Sequence, residues 1–191
     1  MKLTTKLLVT ALSFSILTAC GPKGPSKEQI AAEEQAKVAY ETVKSDFEKY
    51  KEWRDSANKT IKNMNSTLSI IRSEKDPNKV IGMYETLAKE FSDVSNRLNA
   101  IQFTDTRFSA LKTKGIEGFK TLSELILEST KYVTTEVTNE TRLKMINQRN
   151  QAINIVNKEL GELEDNVVKE INADTRKYNE IRRENDKLRR Q

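Results

Sequence analysis

Residues 36–71 read AKVAYETVKSDFEKYKEWRDSANKTIKNMNSTLSII, and this stretch decides the fold. Its apolar side chains recur at alternating steps of four and three residues, which is the pattern of an α-helix with one buried seam. The seam consists of Ala36, Tyr40, Val43, Phe47, Tyr50, Arg54, Ala57, Ile61, Met64, Leu68 and Ile71. We therefore predict one long helix, which starts with a capping box from Ser26 to Gln29 and ends before Pro77.

Arg54 is the one polar side chain in this seam, and it directly follows Trp53. One interpretation is structural: a polar seam residue sets the register of packed helices, or its guanidinium reaches past the seam edge into water. The other interpretation is functional, a point at which the bundle opens and binds a partner. We favour the structural interpretation.

Three further segments repeat the same spacing and predict three more helices. Their apolar positions are Val80, Tyr84, Leu87, Phe91, Val94, Leu98 and Ile101 in the second helix, Phe108, Leu111, Phe119, Leu122, Leu125, Ile126 and Val133 in the third, and Leu143, Ile146, Ile153, Val156, Leu160, Leu163, Val167, Ile171, Tyr178, Ile181 and Leu188 in the fourth. A turn through residues 102–106 separates the second helix from the third, and a Thr-rich break at residues 134–141 precedes the fourth.

Local features add detail to these helices. Thr104 or Asp105 is the expected cap of the third helix. Gly115 and Gly118 lie inside that helix and predict either the close approach of a neighbouring helix or a kink. In the fourth helix the seam spacing changes after Val167, which predicts a local shift in register.

The predicted lengths favour an elongated particle. The first and fourth helices each span about 45 residues, or about 65–70 Å, whereas the second and third span about 25 residues each. An up-down-up-down arrangement then joins all four helices only in the half far from the N-terminus. The predicted fold is all-α: an elongated antiparallel bundle of four helices, in which the two long ones form a coiled-coil stalk. The stalk pairs Ala36, Tyr40, Val43 and Phe47 with Val167, Ile171, Tyr178 and Ile181.

Composition agrees with long amphipathic helices. The chain is 36% hydrophobic and 32% charged, and it has only six glycines and three prolines among 191 residues. Both residue types are scarcer than in average proteins, so turns are few. A formal charge of +5 is too small to indicate nucleic-acid binding, and we expect no nucleic-acid partner.

The residues of common active sites are missing from the sequence. The chain has no histidine, which removes the commonest general base and metal ligand. Carboxylates such as Glu159, Glu162 and Asp165 are expected on a solvated helix face, although paired acids for hydrolysis remain an alternative. We expect a protein that is not an enzyme, with no catalytic residue, no metal and no cofactor.

Residues 1–20 have the parts of an export signal. Lys2 and Lys6 precede an apolar run of 11 residues, 7–17, and small side chains lead to Cys20, the only cysteine. The run is too short to span a membrane, which takes about 20 residues. An ordinary secretory signal with a chance cysteine and a retained anchor are the alternatives.

The stretch Leu17-Thr18-Ala19-Cys20 resembles the lipobox of bacterial lipoprotein precursors. The resemblance implies signal cleavage between Ala19 and Cys20 and lipidation of Cys20 by a diacylglyceryl group, palmitate-like in character. It divides the chain into a signal peptide (1–19), an acylated cysteine with a short tether (20–26) and a helical bundle domain (27–191). Gly21, where retained inner-membrane lipoproteins often carry Asp, favours the outer membrane if the host is Gram-negative.

The C-terminal segment carries two further observations. The stretch 177–180, KYNE on a long charged helix, is similar to the cell-wall-binding lipoproteins of the YkyA type. The last ten residues hold a basic cluster, which either offsets the helix dipole or contacts anionic lipid headgroups near the anchor. Its members are Arg182, Arg183, Lys187, Arg189 and Arg190.

These observations predict a lipid-anchored protein of the bacterial cell envelope. It would act as a non-catalytic binding or scaffolding module for an envelope protein or the cell wall, held to the membrane at Cys20. The alternative is a self-associating structural spacer, a homo-oligomer whose seams close between chains.

Overall fold

The computed structural model describes residues 24–191, and it is all-α within that range. The α-helices are α1 (Lys27–Ser73), α2 (Pro77–Ala100), α3 (Phe108–Ser129), α4 (Asn139–Asn154) and α5 (Leu160–Arg189). A 3₁₀ turn (Thr130–Tyr132) follows α3, and a π-helical turn (Ile155–Glu159) joins α4 to α5. Because α4, the π turn and α5 are continuous, the architecture is the predicted four helices, two long and two short. The signal peptide and Cys20 lie outside the described residues.

The helices begin where their capping residues stand. Ser26 Oγ accepts the backbone N–H of Gln29, and Gln29 Oε1 accepts the N–H of Ser26, which confirms the capping box. Pro77 opens α2 behind an Asp76 cap. The predicted cap of α3 is only partly right: Asp105 Oδ1 accepts the N–H of Arg107, so it caps the turn that leads into α3 and not the helix itself.

The two long helices pair as predicted for the stalk, since α1 and α5 pack antiparallel along their N- and C-terminal halves. Tyr40 stacks on Tyr178 with ring centroids 5.3 Å apart. We call the end of the stalk where α1 begins and α5 ends the stalk tip. There the Asn185 amide donates to the Gln29 carbonyl at 3.0 Å. The end of the chain therefore returns to the start of α1.

All four helices of the bundle, counting α4, the π turn and α5 as one, meet in its middle. We call Trp53, Phe91, Phe119 and Val156 the middle core, and all four side chains are buried. Phe119 packs edge-on against Trp53 with centroids 5.6 Å apart, and Phe91 lies 5.9 Å from Phe119. The indole N–H of Trp53 donates to the Val94 carbonyl, so this large side chain is buried without an unmade hydrogen bond.

The glycines of α3 allow the close approach that the sequence predicts. A Cβ at Gly115 would lie 2.5 Å from Leu98 Cδ2, and one at Gly118 would lie 2.6 Å from Val156 Cγ2. The third helix therefore packs on α2 and on the π turn at distances that a larger residue would prevent.

The π turn is a feature that the sequence analysis missed. It lies N-terminal to the register shift predicted after Val167, which falls within regular α5. A π turn adds one residue to the helical repeat. As a result, the consecutive residues Ile155 and Val156 are both buried, and both contact the site of Gly118.

Candidate functional site

The four helices separate at the end of the bundle far from the stalk tip and leave an open cleft. It lies between the end of α1, the start of α2, the end of α3 and most of the length of α4, and its volume is about 720 Å³. We call it the distal cleft. Its apolar lining comprises Met64, Leu68, Ile71, Val80, Tyr84, Leu122, Leu125, Ile126, Tyr132, Val133, Val137, Met145, Ile146 and Ile153. Binding sites for small molecules commonly enclose about 300–1,000 Å³, so the distal cleft has the size of a ligand site.

The cleft stays open because α4 has too few apolar side chains to close it. Residues 139–151 read NETRLKMINQRNQ, and Ala152 is the one buried residue of α4. Ile146 lines the cleft and is 38% exposed, and Leu143, which is close to it on α4, is 61% exposed. Exposed apolar surface at the mouth of a concave site is typical of an interaction site.

Positive charge surrounds the cleft. Arg72 and Lys75 stand at the end of α1 and just after it, and Arg142 and Arg149 stand on α4. Within residues 24–191 none of these four cations forms an ion pair with an acidic side chain. Glu74 is the one acidic side chain of the lining, and its carboxylate accepts the backbone N–H groups of Asp76 and Lys75, which lower the pKa of Glu74.

A polar network closes the bundle at the other side of the middle core. The Arg54 guanidinium pairs with Glu164 at 2.8 Å and donates to the Val156 carbonyl at 3.3 Å. The Tyr50 hydroxyl donates to the same carboxylate, and burial, followed by this negative neighbour, raises the pKa of Tyr50. Arg54 therefore points into the protein and does not reach past the seam edge into water; its bonds within the bundle agree with the structural interpretation, and the partner-binding point stays a prediction.

Asp46 is a second buried polar residue, and the sequence analysis missed it. Only 1% of it is exposed. One carboxylate oxygen accepts the N–H groups of Thr104 and Asp105 at 2.6 and 2.7 Å, and the other accepts from Lys49 at 2.9 Å. Burial raises the pKa of Asp46, but the hydrogen bonds from Asp105, Lys49 and Thr104 outweigh it and lower the pKa overall. Asp46 thus fastens the α2–α3 loop to α1.

The predicted basic cluster lies at the stalk tip. Its five members, Arg182, Arg183, Lys187, Arg189 and Arg190, are exposed. Arg189 binds Glu33 at 2.7 Å and Asp186 at 2.8 Å, so this guanidinium joins α5 to α1. The pKa of Glu33 is lowered by Arg189 and then by Asn185. Ala19 and Cys20, the other predicted site residues, precede the described range.

Residues 24–191 contain neither a candidate metal site nor a candidate membrane-spanning helix. No group of three or more acidic, cysteine or histidine side chains is arranged to hold a metal ion. No described helix is both long and apolar enough to cross a membrane.

The carboxylates that the sequence analysis considered lie on α5 and on the turn before it. Glu159 forms a salt bridge with Lys114 at 3.2 Å, whereas Glu162 and Asp165 are exposed as predicted.

The fold is an elongated helical bundle, and the resemblance of residues 17–20 to a lipobox predicts the class of bacterial envelope lipoproteins. Residues 44–172 match the family model described as Uncharacterised lipoprotein PM1805. The match spans more than half of the chain, and the protein belongs to this family. No curated protein and no solved structure matches the chain. Family membership supports a membrane-associated location in the cell envelope. The matched residues include the middle core and every lining residue of the distal cleft, whereas the C-terminal basic cluster lies outside them.

Proposed function

We propose that this protein is a lipid-anchored, non-catalytic binding or scaffolding module of the bacterial cell envelope. The observation that carries the proposal is the distal cleft: the same helices that close completely around the middle core leave apolar side chains uncovered at this end. The absence of histidine from the sequence supports a role in binding and not in catalysis.

The anchor is the acylated Cys20, and the proposed membrane is the outer one in a Gram-negative host. Two acyl chains are enough for stable attachment. The described chain starts beside the basic cluster, because Asn185 contacts Gln29. Arg183, Lys187 and Arg190 would then face anionic headgroups at the same level as the anchor.

The length of the bundle separates the anchor from the binding end. From Glu33 at the stalk tip to Arg72 at the cleft, α1 rises by about 60 Å at 1.5 Å per residue. The cleft would therefore meet an envelope protein, the cell wall or a ligand well away from the anchoring bilayer.

The alternative, a self-associating spacer, has less support. It requires an α1 seam that is free to pair with another chain. In this structure Val43, Tyr50, Ala57 and Ile71 of that seam are buried within one chain.

The proposal is tested by site-specific photocrosslinking in intact cells. A photoreactive amino acid replaces Ile146, which lines the cleft and is 38% exposed, or, as the matched control, Val38 on the stalk, which is 55% exposed. We expect a defined adduct with an envelope component from position 146 and none from position 38. Adducts only between copies of this chain would favour the spacer.

The anchor is tested in the same strain. We expect Cys20→Ala to move the protein to the soluble envelope fraction or to leave the precursor uncleaved. Unchanged membrane association at unchanged mass would contradict lipidation at Cys20.

A further inference from the structure

We propose that the distal cleft binds a single-chain anionic amphiphile, taken up as a monomer. This inference names the ligand class of the binding end, so it rests on the function proposed above. Three properties of the cleft carry it: its shape, its charge and its distance from the anchor.

The shape fits one alkyl chain. The apolar floor, formed by side chains such as Leu68, Leu125, Ile126 and Ile153, follows about 11 residues of α1 and of α4, or about 16 Å at 1.5 Å per residue. The floor is about as long as one extended alkyl chain, so a single chain can lie along it.

The charge selects an anionic headgroup. Arg142 and Arg149 lie two turns apart on the same face of α4, and Arg72 and Lys75 stand across the mouth. Within the described residues their charges are not matched by acidic side chains, and Glu74 is engaged with backbone N–H groups. Arginine binds carboxylate or phosphate oxygens through paired N–H groups, so this rim suits a negatively charged headgroup over a neutral one.

The position of the cleft indicates that the ligand arrives as a monomer. The cleft lies about 60 Å from the stalk tip, so it does not reach into the bilayer that holds the anchor. An alkyl chain at that distance needs shelter from water, and the apolar floor provides it.

The test uses the mature, acylated protein in phosphatidylcholine nanodiscs. The probe is myristate with a diazirine near the end of its chain, and mass spectrometry locates the adducts. We expect adducts on residues that line the cleft, competed by unlabelled myristate but not by monomyristoylglycerol or tetradecyltrimethylammonium. Competition by monomyristoyl lysophosphatidylglycerol at lower concentration than myristate would identify a phosphate headgroup, and the reverse order a carboxylate.

Three variants distinguish a specific site from unspecific binding. We expect Arg142→Gln with Arg149→Gln to weaken the apparent affinity for myristate about 30-fold, because each of the two lost cations contributes about fivefold. The charge-matched control, Arg176→Gln with Lys177→Gln on the exposed face of α5, should leave the affinity unchanged. Val137→Trp fills the cleft from its loop and should abolish cleft adducts while the helical circular-dichroism melt is retained.

Several outcomes would overturn the inference. Adducts spread over the stalk, or equal labelling by a neutral analogue, would show that the cleft does not select this ligand. If cleft adducts are absent but position 146 still crosslinks to an envelope protein, the ligand class is wrong and the binding module stands. If neither is seen, both proposals fail.

Discussion

The middle core and the distal cleft are made by the same helices, yet one is closed and the other is open. In the middle, Phe91 and Phe119 are fully buried, with Phe91 packed on Phe119 and Phe119 on Trp53, and glycines bring the backbones together. At the distal end, Met64 and Ile126 remain partly exposed. The difference shows that an apolar seam on one helix does not by itself determine whether its side chains are buried. They are buried only where the neighbouring helix also supplies apolar side chains to cover them.

The largest effect should come from truncating the middle core. We expect Phe119→Ala to lower the free energy of unfolding by about 3–5 kcal/mol, since it removes a fully buried ring and leaves a cavity. Met145→Ala in the distal cleft should cost less than about 1 kcal/mol, because its surroundings are already open. Urea denaturation measures both values, and equal losses would show that the cleft is packed in solution.

Breaking the polar network between α1 and α5 should have the next largest effect. Glu164→Ala leaves Arg54 inside the bundle without its partner, and Arg54 Nη1 already has no hydrogen-bond partner among the described residues. The loss should be about 2 kcal/mol, less than for a fully buried pair because both side chains are partly exposed.

A double variant provides the control for this network. Arg54→Met combined with Glu164→Leu replaces both charges by apolar groups and should recover most of the lost stability. If the double variant is as unstable as Glu164→Ala, the pair contributes through packing and not through charge.

The seams and lengths of the helices could be predicted from sequence because spacing reports periodicity directly. Asp46 could not, because it lies between the seam residues Val43 and Phe47, where a charged residue is expected to face water. Its partners are the backbone N–H groups of Thr104 and Asp105, 58 and 59 positions away, and spacing contains no information on them.

The open distal end was also beyond the sequence analysis. Whether the seams of α1 and α3 are covered there depends on the position of α4, which local spacing does not determine. One signal was present: α4 has only four large apolar residues among 16, namely Leu143, Met145, Ile146 and Ile153. A sparse stripe of this kind is too narrow to close a four-helix interface.

Replacing a glycine by alanine adds one methyl group, and two such substitutions compare the packed middle core with the open distal end. Gly118→Ala places a Cβ against Val156 at the middle core, and we expect a loss of about 1–2 kcal/mol. Gly82→Ala, in the part of α2 nearer the distal end, meets no atom within 4 Å and should stabilise the helix by about 0.5–1 kcal/mol. Thermal melts of both variants measure the signs, and a shared sign would mean that backbone entropy, not packing, dominates at both sites.

The smallest predicted effect is a pH dependence that compares two carboxylates, Asp46 near the core and Glu74 at the cleft. The pKa of Asp46 in the folded protein lies below its ordinary value of 3.8, so the unfolded chain takes up a proton first as the pH falls. The stability that Asp46 contributes is thus complete above pH 3.8 and is lost as the pH falls through the lower, folded pKa. We expect Asp46→Asn to flatten the decline of the free energy of unfolding in this window. The pKa of Glu74 is lowered too, but Glu74→Gln should flatten the decline less, because the Glu74 carboxylate binds only its own turn at an exposed position. If Glu74→Gln flattened the decline more than Asp46→Asn, the turn at the cleft, and not the α2–α3 loop, would be the acid-sensitive element of the bundle.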